Sequence, residues 1–150
     1  MNYVSYIAEE VARQGYEWGT NSWTLRIGWL HGAWQYGRLY IADEITLKDI
    51  IFLGKMIEPI KNENGLRRVG VMVGDRTCPP AEQVRGSLER LIKNGKLLSP
   101  IEWYKEFELI HPFVDGNGRT GKVLLAWLRK DFDNPEFPPE DLFGTPTTNP

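Results

Sequence analysis

The sequence has one cysteine, no long apolar run and no excess of either charge. Cys78 is the single cysteine among 150 residues, so an intramolecular disulfide is ruled out and a reducing cytoplasm is the expected compartment. No apolar stretch reaches the roughly 18–20 residues of a membrane-spanning helix, and the N-terminus lacks the pattern of a signal peptide. The net charge of −2 disfavours an extended nucleic-acid-binding face, which is usually basic. Neither a membrane nor a nucleic acid is therefore expected as a partner.

Most of the sequence shows the apolar periodicity of helices. A chain of 150 residues is long enough for one domain with a single core, and we expect one domain over residues 1–150. Two segments begin with clear capping signals, Thr46 with Asp49 and Ser99 with Glu102. The predicted fold class is mainly α. The expected helices lie at residues 3–14, 21–36, 46–58, 80–94, 100–110 and 117–130, and we expect the tail at 144–150 to be mobile.

One segment has the periodicity of a strand. Alternating side chains run from Leu66 to Gly74, a turn signal follows, and Pro79 with Pro80 prevents regular pairing beyond it. This pattern predicts one short β-hairpin or extended flap in an otherwise helical chain, with a plain connecting loop as the alternative. An isolated hairpin is only marginally stable, so the flap must rest on the helices or accept a partner strand.

The stretch of greatest chemical interest is His111–Lys122, which reads H-P-F-V-D-G-N-G-R-T-G-K. A glycine-bracketed turn at the start of a helix forms an anion site, because the first N–H groups of a helix lack partners within it. Asp115 is a candidate ligand for a divalent cation, and Arg119 and Lys122 are candidate phosphate contacts. His111 is suited to moving a proton at neutral pH.

This stretch resembles the signature of the Fic (filamentation induced by cAMP) family, H-P-F-x-D/E-G-N-G-R-x-x-R. The resemblance extends over the predicted flap and the flanking helices, about residues 22–132, and implies a Fic-like helical bundle with a β-hairpin flap. The matching residues are His111, Pro112, Phe113, Asp115, Gly116, Asn117, Gly118 and Arg119.

The resemblance implies a Mg²⁺-dependent nucleotidyltransferase that moves AMP from ATP to a Ser, Thr or Tyr hydroxyl of a target protein. His111 would then be the general base, and Asp115 would hold Mg²⁺ between the α- and β-phosphates. Asn117 would bond the α-phosphate, and Arg119 would contact the β-phosphate of the leaving pyrophosphate. The anion hole would consist of Gly116, Asn117 and Gly118.

The resemblance also assigns the flap a role in target docking. Its backbone would pair with an extended segment of the target protein by strand addition, which would place the target hydroxyl before His111. The residues implied in this docking are Val69, Gly70, Val71, Met72 and Val73.

The sequence departs from the family pattern at the last motif position. Lys122 replaces an arginine that contacts the γ-phosphate in the family, and lysine keeps the charge but loses the bidentate fork. In inhibited members this arginine pairs with a glutamate from a pattern S/T-x-x-x-E-G/N. Only Ser5–Glu9 fits the first five positions, with Glu10 at the sixth. Glu9 is therefore the candidate inhibitory residue, and a separate antitoxin or inhibitory protein, or no inhibitor, is the alternative.

Two other functional classes remain open at this point. The related Doc toxins phosphorylate their targets, but Doc-like motifs tend to carry lysine at the position of Gly118, so the intact glycine argues against that reaction. Transfer of another nucleotide or phosphodiester group fits the same motif. A non-catalytic nucleotide-binding or partner-binding module is the third possibility. The cytoplasm is the expected location, with delivery into a host as an effector as the alternative.

Overall fold

The computed structural model describes residues 1–143, and the mainly α fold class with one short hairpin is confirmed. Within that range no helix is both long and apolar enough to cross a bilayer. The expectation for residues 144–150 lies outside the described residues. The helices are α1 (Tyr3–Arg13), α2 (Asn21–Leu39), α3 (Leu47–Ile57), α4 (Ala81–Asn94), α5 (Pro100–Ile110) and α6 (Asn117–Arg129), and the strands are β1 (Met72–Val73) and β2 (Arg76–Thr77).

Both predicted capping boxes are confirmed. Thr46 Oγ1 accepts a hydrogen bond from the Asp49 N–H at 3.1 Å, and the Asp49 carboxylate accepts one from the Thr46 N–H at 2.9 Å. Ser99 and Glu102 form the same reciprocal pair at the start of α5. Each box satisfies backbone donors that a helix start leaves without partners.

The helix α2 extends three residues beyond its predicted end at residue 36. The N-cap is Thr20, whose Oγ1 accepts from the Trp23 N–H at 3.2 Å. The helix continues through Gly37 to Leu39. A Cβ at Gly37 would lie 2.4 Å from Cζ of Phe132, so this glycine permits close packing rather than ending the helix.

The core surrounds α6, which packs against α5, α2 and α3. Its residues 123–127 are all buried. The N-terminal helix α1 also belongs to this core, because Tyr6, Ile7 and Val11 are at most 2% exposed. Burying an aliphatic side chain of this size contributes about 1.5–3 kcal/mol, so α1 is an integral part of the molecule.

The hairpin is much shorter than the predicted strand. Only β1 and β2 pair, with Met72 opposite Thr77, and Gly74 supplies the positive φ of +61° at the turn. The chain before β1 is instead fastened by the buried side chain of Arg67, which donates to the Val69 carbonyl at 2.9 Å. Val69 and Met72 are 56% and 59% exposed, so an apolar flap surface remains open to solvent.

Candidate active site

His111 follows the last residue of α5 in a left-handed conformation, with φ 51° and ψ 64°. This region is uncommon for residues other than glycine, and strain of this kind concentrates at functional sites. The backbone is held in place because Arg67 Nε donates to the His111 carbonyl at 2.7 Å and the His111 N–H donates to the Phe107 carbonyl at 3.1 Å. The imidazole is only 3% exposed.

The surroundings of His111 keep its ring neutral. Burial lowers its pKa to about 4, and the positive charges of Arg76 and Arg67 act in the same direction. The Glu108 backbone carbonyl and the Asp115 carboxylate oppose that shift. Nδ1 makes no well-formed hydrogen bond within residues 1–143. The ring is therefore an unprotonated base at neutral pH.

Asp115 lies in the loop just before α6, beside two cations. Its Oδ2 accepts from Lys61 Nζ at 2.7 Å, and its Oδ1 accepts from the Gly116 N–H at 2.8 Å. Burial alone would raise the pKa of this carboxyl, but Lys61, the Gly116 N–H and Arg119 outweigh it and lower the pKa. Asp115 is therefore an ionised carboxylate.

The donor set around Asp115 fits Mg²⁺ that is held mainly by substrate. Within the described range, no three His, Cys, Asp or Glu side chains converge as a metal site. Mg²⁺ commonly binds through one or two carboxylates together with phosphate oxygens and water, and Asp115 supplies one such carboxylate. Lys61 now occupies the cation position on Oδ2, so a metal ion there would replace its ammonium group.

The side-chain amide of Asn117 holds the motif loop. Its Oδ1 accepts from the Phe113 N–H at 2.8 Å, and its Nδ2 donates to the Phe113 carbonyl at 2.9 Å. The amide thus holds the loop with one hydrogen bond from each of its two ends, and the second N–H of Nδ2 is not engaged by either bond. The expected contact of Asn117 with a phosphate stays a prediction. Phe113 is itself buried against Gly54 of α3, so the loop is fixed at both its backbone and its side chain.

Arg119 does not face open solvent as a ready phosphate ligand. Its side chain is 1% exposed, and Nη1 donates to Glu58 Oε2 at 2.9 Å. Glu58 also receives a bidentate pair from Arg26, with Nε at 2.8 Å and Nη2 at 3.1 Å. A phosphate reaching Arg119 would compete with the Glu58 carboxylate. The expected β-phosphate contact therefore requires Arg119 to exchange its ion pair with Glu58, and it stays a prediction.

Lys122 is buried and forms an ion pair with Glu10, the residue next to the expected Glu9. Its Nζ lies 2.9 Å from Glu10 Oε2, whereas Glu9 forms an exposed pair with Arg13 at 2.9 Å on the outer face of α1. Glu10, rather than the expected Glu9, is thus the carboxylate that contacts the motif. Burial would lower the pKa of Lys122, but Glu10, Tyr104 and other neighbours outweigh it and raise the pKa.

The turn before α6 brings backbone N–H groups to the site. Gly116 has φ +76°, and a Cβ there would lie 2.9 Å from Cγ2 of Ile57, so only glycine fits. Gly118 follows in the first turn of α6, where helix N–H groups lack partners. A Cβ on Gly118 would lie 3.1 Å from Nε2 of Gln14. The C-terminal end of α1 thus covers the expected anion hole.

Several contacts in this site were missed in the sequence. Glu58 lies 61 positions from Arg119 and Lys61 lies 54 positions from Asp115, so no local spacing pattern connects them. Glu58 precedes Pro59 at the end of a helix, and Lys61 opens a polar loop. Both positions favour solvated charges when read from sequence alone.

Known proteins share this fold. A Fic family protein from Desulfovibrio desulfuricans G20 superimposes with a TM-score of 0.68 at 17% identity, over 87% of this chain and 47% of that chain. A structure of Fic-1 from C. elegans gives a TM-score of 0.65 at 21% identity, over 95% of this chain and 50% of that chain. These likenesses concern the fold.

Sequence comparison identifies relatives that are named for an activity. The protein adenylyltransferase Fic of Drosophila persimilis is 33% identical over 98 residues, which is 57% of this chain and 19% of that protein. A probable protein adenylyltransferase of Aquifex aeolicus (strain VF5) is 38% identical over 63 residues, or 37% of this chain and 20% of that protein. This chain thus spans about a fifth of the length of these relatives.

A model of the Fic/DOC family matches residues 44–128, more than half of the chain. The match begins in the segment before α3 and ends in α6, and it encloses the flap, α5 and the complete motif loop. With the motif, the helical bundle and the matched span in agreement, this chain belongs to the Fic/DOC family.

Proposed function

We propose that this chain is a protein adenylyltransferase that moves AMP from ATP to a Ser, Thr or Tyr hydroxyl of a target protein. The observation that carries the proposal is a neutral, buried His111 at the end of α5, followed within the same short loop by the ionised Asp115 and the N-terminus of α6. The names of the curated relatives support the same activity.

In the proposed reaction, His111 takes the proton of the attacking hydroxyl. The hydroxyl oxygen forms a bond to the α-phosphorus of ATP, the bond from that phosphorus to the bridging oxygen breaks, and pyrophosphate leaves. Positioned bases of this kind typically contribute on the order of a hundred- to ten-thousand-fold in rate. Because the pKa of His111 is about 4, almost all of the enzyme carries the base in its active form at neutral pH.

The other residues of the loop bind and orient the triphosphate. The first N–H groups of α6 and its positive helix end favour phosphate oxygens. Asp115 would hold Mg²⁺, which when bound neutralises phosphate charge. Arg119 would meet the β-phosphate after exchanging its contact with Glu58. An anion-binding donor placed in this way is commonly worth about 3–4 kcal/mol when one is removed.

The test is intact mass spectrometry after incubation of the full chain with Mg²⁺ and each nucleoside triphosphate, alone and with candidate targets. We expect a gain of one AMP with ATP that is absent for His111→Ala and absent with EDTA. His31→Ala is the matched control, since it removes the only other histidine, an exposed side chain on α2. A gain of one phosphate would instead indicate a Doc-like kinase, and no gain with any nucleotide would indicate a binding module.

We further propose that Glu10 restrains this activity from within the chain. Glu10 is buried and paired with Lys122, the position whose cation contacts the γ-phosphate in the family. Gln14, one turn further along the chain from Glu10, donates to Glu10 Oε2 at 3.1 Å and lies over Gly118. An inhibitory partner protein is therefore not required to place a carboxylate at Lys122.

The matched pair Glu10→Gln and Glu9→Gln tests this restraint. Both changes remove one negative charge from α1, but only Glu10 contacts the motif. We expect a rise of about tenfold or more in self-modification for Glu10→Gln and wild-type rates for Glu9→Gln, since a factor of ten corresponds to about 1.4 kcal/mol. Equal rates in both variants would disprove the restraint, and a rise only for Glu9→Gln would restore the pattern-based assignment.

A further inference from the structure

Two arginines of the flap segment bind the C-terminal end of α5. The last four carbonyls of a helix have no partner within it, and the last turn of α5 contains no basic residue. Arg67 donates to the carbonyls of His111 at 2.7 Å and Ile110 at 3.2 Å. Arg76 Nη1 donates to the Leu109 carbonyl at 3.1 Å. The flap thus satisfies three consecutive carbonyls that lead into the motif.

The two arginines are held very differently. Arg67 is buried and also binds the carbonyls of Val69 and Pro79, so it joins both ends of the flap to α5 through four hydrogen bonds. Arg76 lies on the two-residue strand β2, is half-exposed, and reaches α5 through one hydrogen bond. A displacement of the hairpin would therefore act on α5 through Arg76 first.

The register of the hairpin places Arg76 where a segment docked on the flap would displace it. Arg76 pairs with Val73, whose neighbour Met72 is exposed on the flap surface. A strand added along this surface would shift β1 and β2 together, because the two strands are paired with each other. The Arg76 guanidinium would then move relative to Leu109.

We propose that Arg76 is a positioning residue that couples the flap to His111. A target segment docked on the hairpin changes the position of the His111 ring through the Arg76–Leu109 hydrogen bond. This inference rests on the proposed function for its catalytic meaning, while the coupling itself is a property of the fold. Arg67 is the fixed anchor and Arg76 is the adjustable contact.

The charges around His111 agree with this assignment. The groups that act on the ring are Arg76, Arg67, the Glu108 backbone carbonyl and Asp115. After burial, Arg76 has the largest effect on the pKa of His111, and it lowers that pKa. Moving the guanidinium away would raise the basicity of the ring as the target hydroxyl arrives.

The first test follows the His111 ring by NMR in full-length protein labelled at histidine. The chain has only two histidines, so His31 is an internal reference. We expect Arg76→Met to move the His111 signals and raise its titration midpoint by about one pH unit, and Arg76→Lys to restore much of that midpoint. Arg68→Met removes an exposed cation from the same segment and should leave the His111 signals unchanged.

A double-mutant cycle then tests the coupling to the hairpin. Gly74→Val strains the turn at the tip, where φ is +61°, without touching α5. We expect it to shift the His111 signals in the wild-type chain and to have little additional effect in Arg76→Met, which is the signature of coupled positions. The proposal would be overturned if Gly74→Val shifted the His111 signals equally in both backgrounds, or if the single variant Arg76→Met left those signals where they are in the wild type.

Activity separates this inference from the proposed function. If AMP transfer occurs, Arg76→Met should lower kcat about tenfold, because losing the hydrogen bond to the Leu109 carbonyl leaves the His111 ring less well positioned, and this loss outweighs the gain in basicity. The KM for ATP should be unchanged. A His111 shift in a chain that transfers no nucleotide would reject the activity and retain the coupling. Transfer that is unaffected by Arg76→Met, with unmoved His111 signals, would reject the coupling and retain the activity.

Discussion

His111 occupies a position in which proton uptake is opposed by burial and by the cations Arg67 and Arg76. With its pKa lowered from 6.5 to about 4, the acid limb of the pH profile of kcat/KM should lie near pH 4 rather than near 6.5. The measurement is the rate of AMP transfer to one target from about pH 4 to 8. An acid limb near 6.5 would show that the free enzyme carries a normal histidine.

The same lowered pKa links His111 to stability. As the pH falls below about 6.5, the unfolded chain takes up a proton at this position before the folded chain does, so the free energy of unfolding decreases until the pH reaches about 4. The contribution of His111 is therefore present above 6.5 and lost in that window.

Glu108 has the opposite dependence. It is buried near Lys122, and neither carboxyl oxygen has a hydrogen-bond partner in the described part of the chain. Burial raises its pKa from 4.5 to about 8, with Lys122 opposing that shift. The folded chain then holds the proton more tightly, so the stabilising contribution is complete below 4.5 and is lost as the pH rises to about 8.

We expect Glu108→Gln to flatten the stability profile on the alkaline side. Glutamine has nearly the shape of the protonated acid, so between about pH 6.5 and 8 the wild type should lose up to about 1.4 kcal/mol per pH unit relative to the variant. Urea unfolding of both chains at several pH values measures this difference. Parallel profiles would mean that Glu108 is ionised in the folded chain, with Lys122 shared between two carboxylates.

At the scale of elements, the cap of α5 determines how firmly the motif loop is presented. Ser99→Ala should lower the free energy of unfolding by about 1 kcal/mol, because it leaves the Glu102 N–H without its acceptor. Ser87→Ala is the control, since Ser87 lies inside α4 and meets only the exposed Arg90. Urea unfolding should place the control within about 0.5 kcal/mol of the wild type. Equal losses in the two variants would contradict the capping role.

The elements also show what sequence can and cannot predict here. Both capping boxes depend on residues three apart, so the sequence alone locates them. The strand predicted for 66–74 failed because the side chain of Arg67 fastens that segment from within the molecule, and alternation along the chain carries no sign of this. The sequence pattern selects Glu9, whereas Glu10 is the residue that contacts Lys122. Neighbouring side chains on a helix point about 100° apart, so only the packing of α1 decides which of the two faces Lys122.

At the scale of the whole molecule, the site is held together by charges from distant parts of the chain. Arg26 and Arg119 meet on Glu58, Lys61 meets Asp115, and Glu10 meets Lys122. The motif itself, with the helices on either side of it, was predictable because its spacing is local. Its closed, ion-paired state was not, because each partner lies more than 30 positions away and becomes a neighbour only after the bundle has formed.

The packing of α1 has a consequence for truncation. A chain that begins at residue 15 would lose three buried apolar side chains and leave the buried Lys122 without its carboxylate. The resulting loss in the free energy of unfolding exceeds the total stability of a typical domain. We expect no cooperative unfolding transition for this fragment by circular dichroism, whereas Glu10→Gln remains folded. A stable fragment with raised self-modification would instead identify α1 as a detachable inhibitor.

The single cysteine of this chain, Cys78, directly follows strand β2 of the flap. Cys78 is buried, and its N–H donates to the Val71 carbonyl at 3.3 Å, one residue beyond the paired strands. A reagent that modifies thiols can reach it only when this end of the hairpin separates from the helices. Because the chain has no second cysteine to react, the rate of thiol labelling reports the rate at which the flap opens. A docked target should slow this labelling.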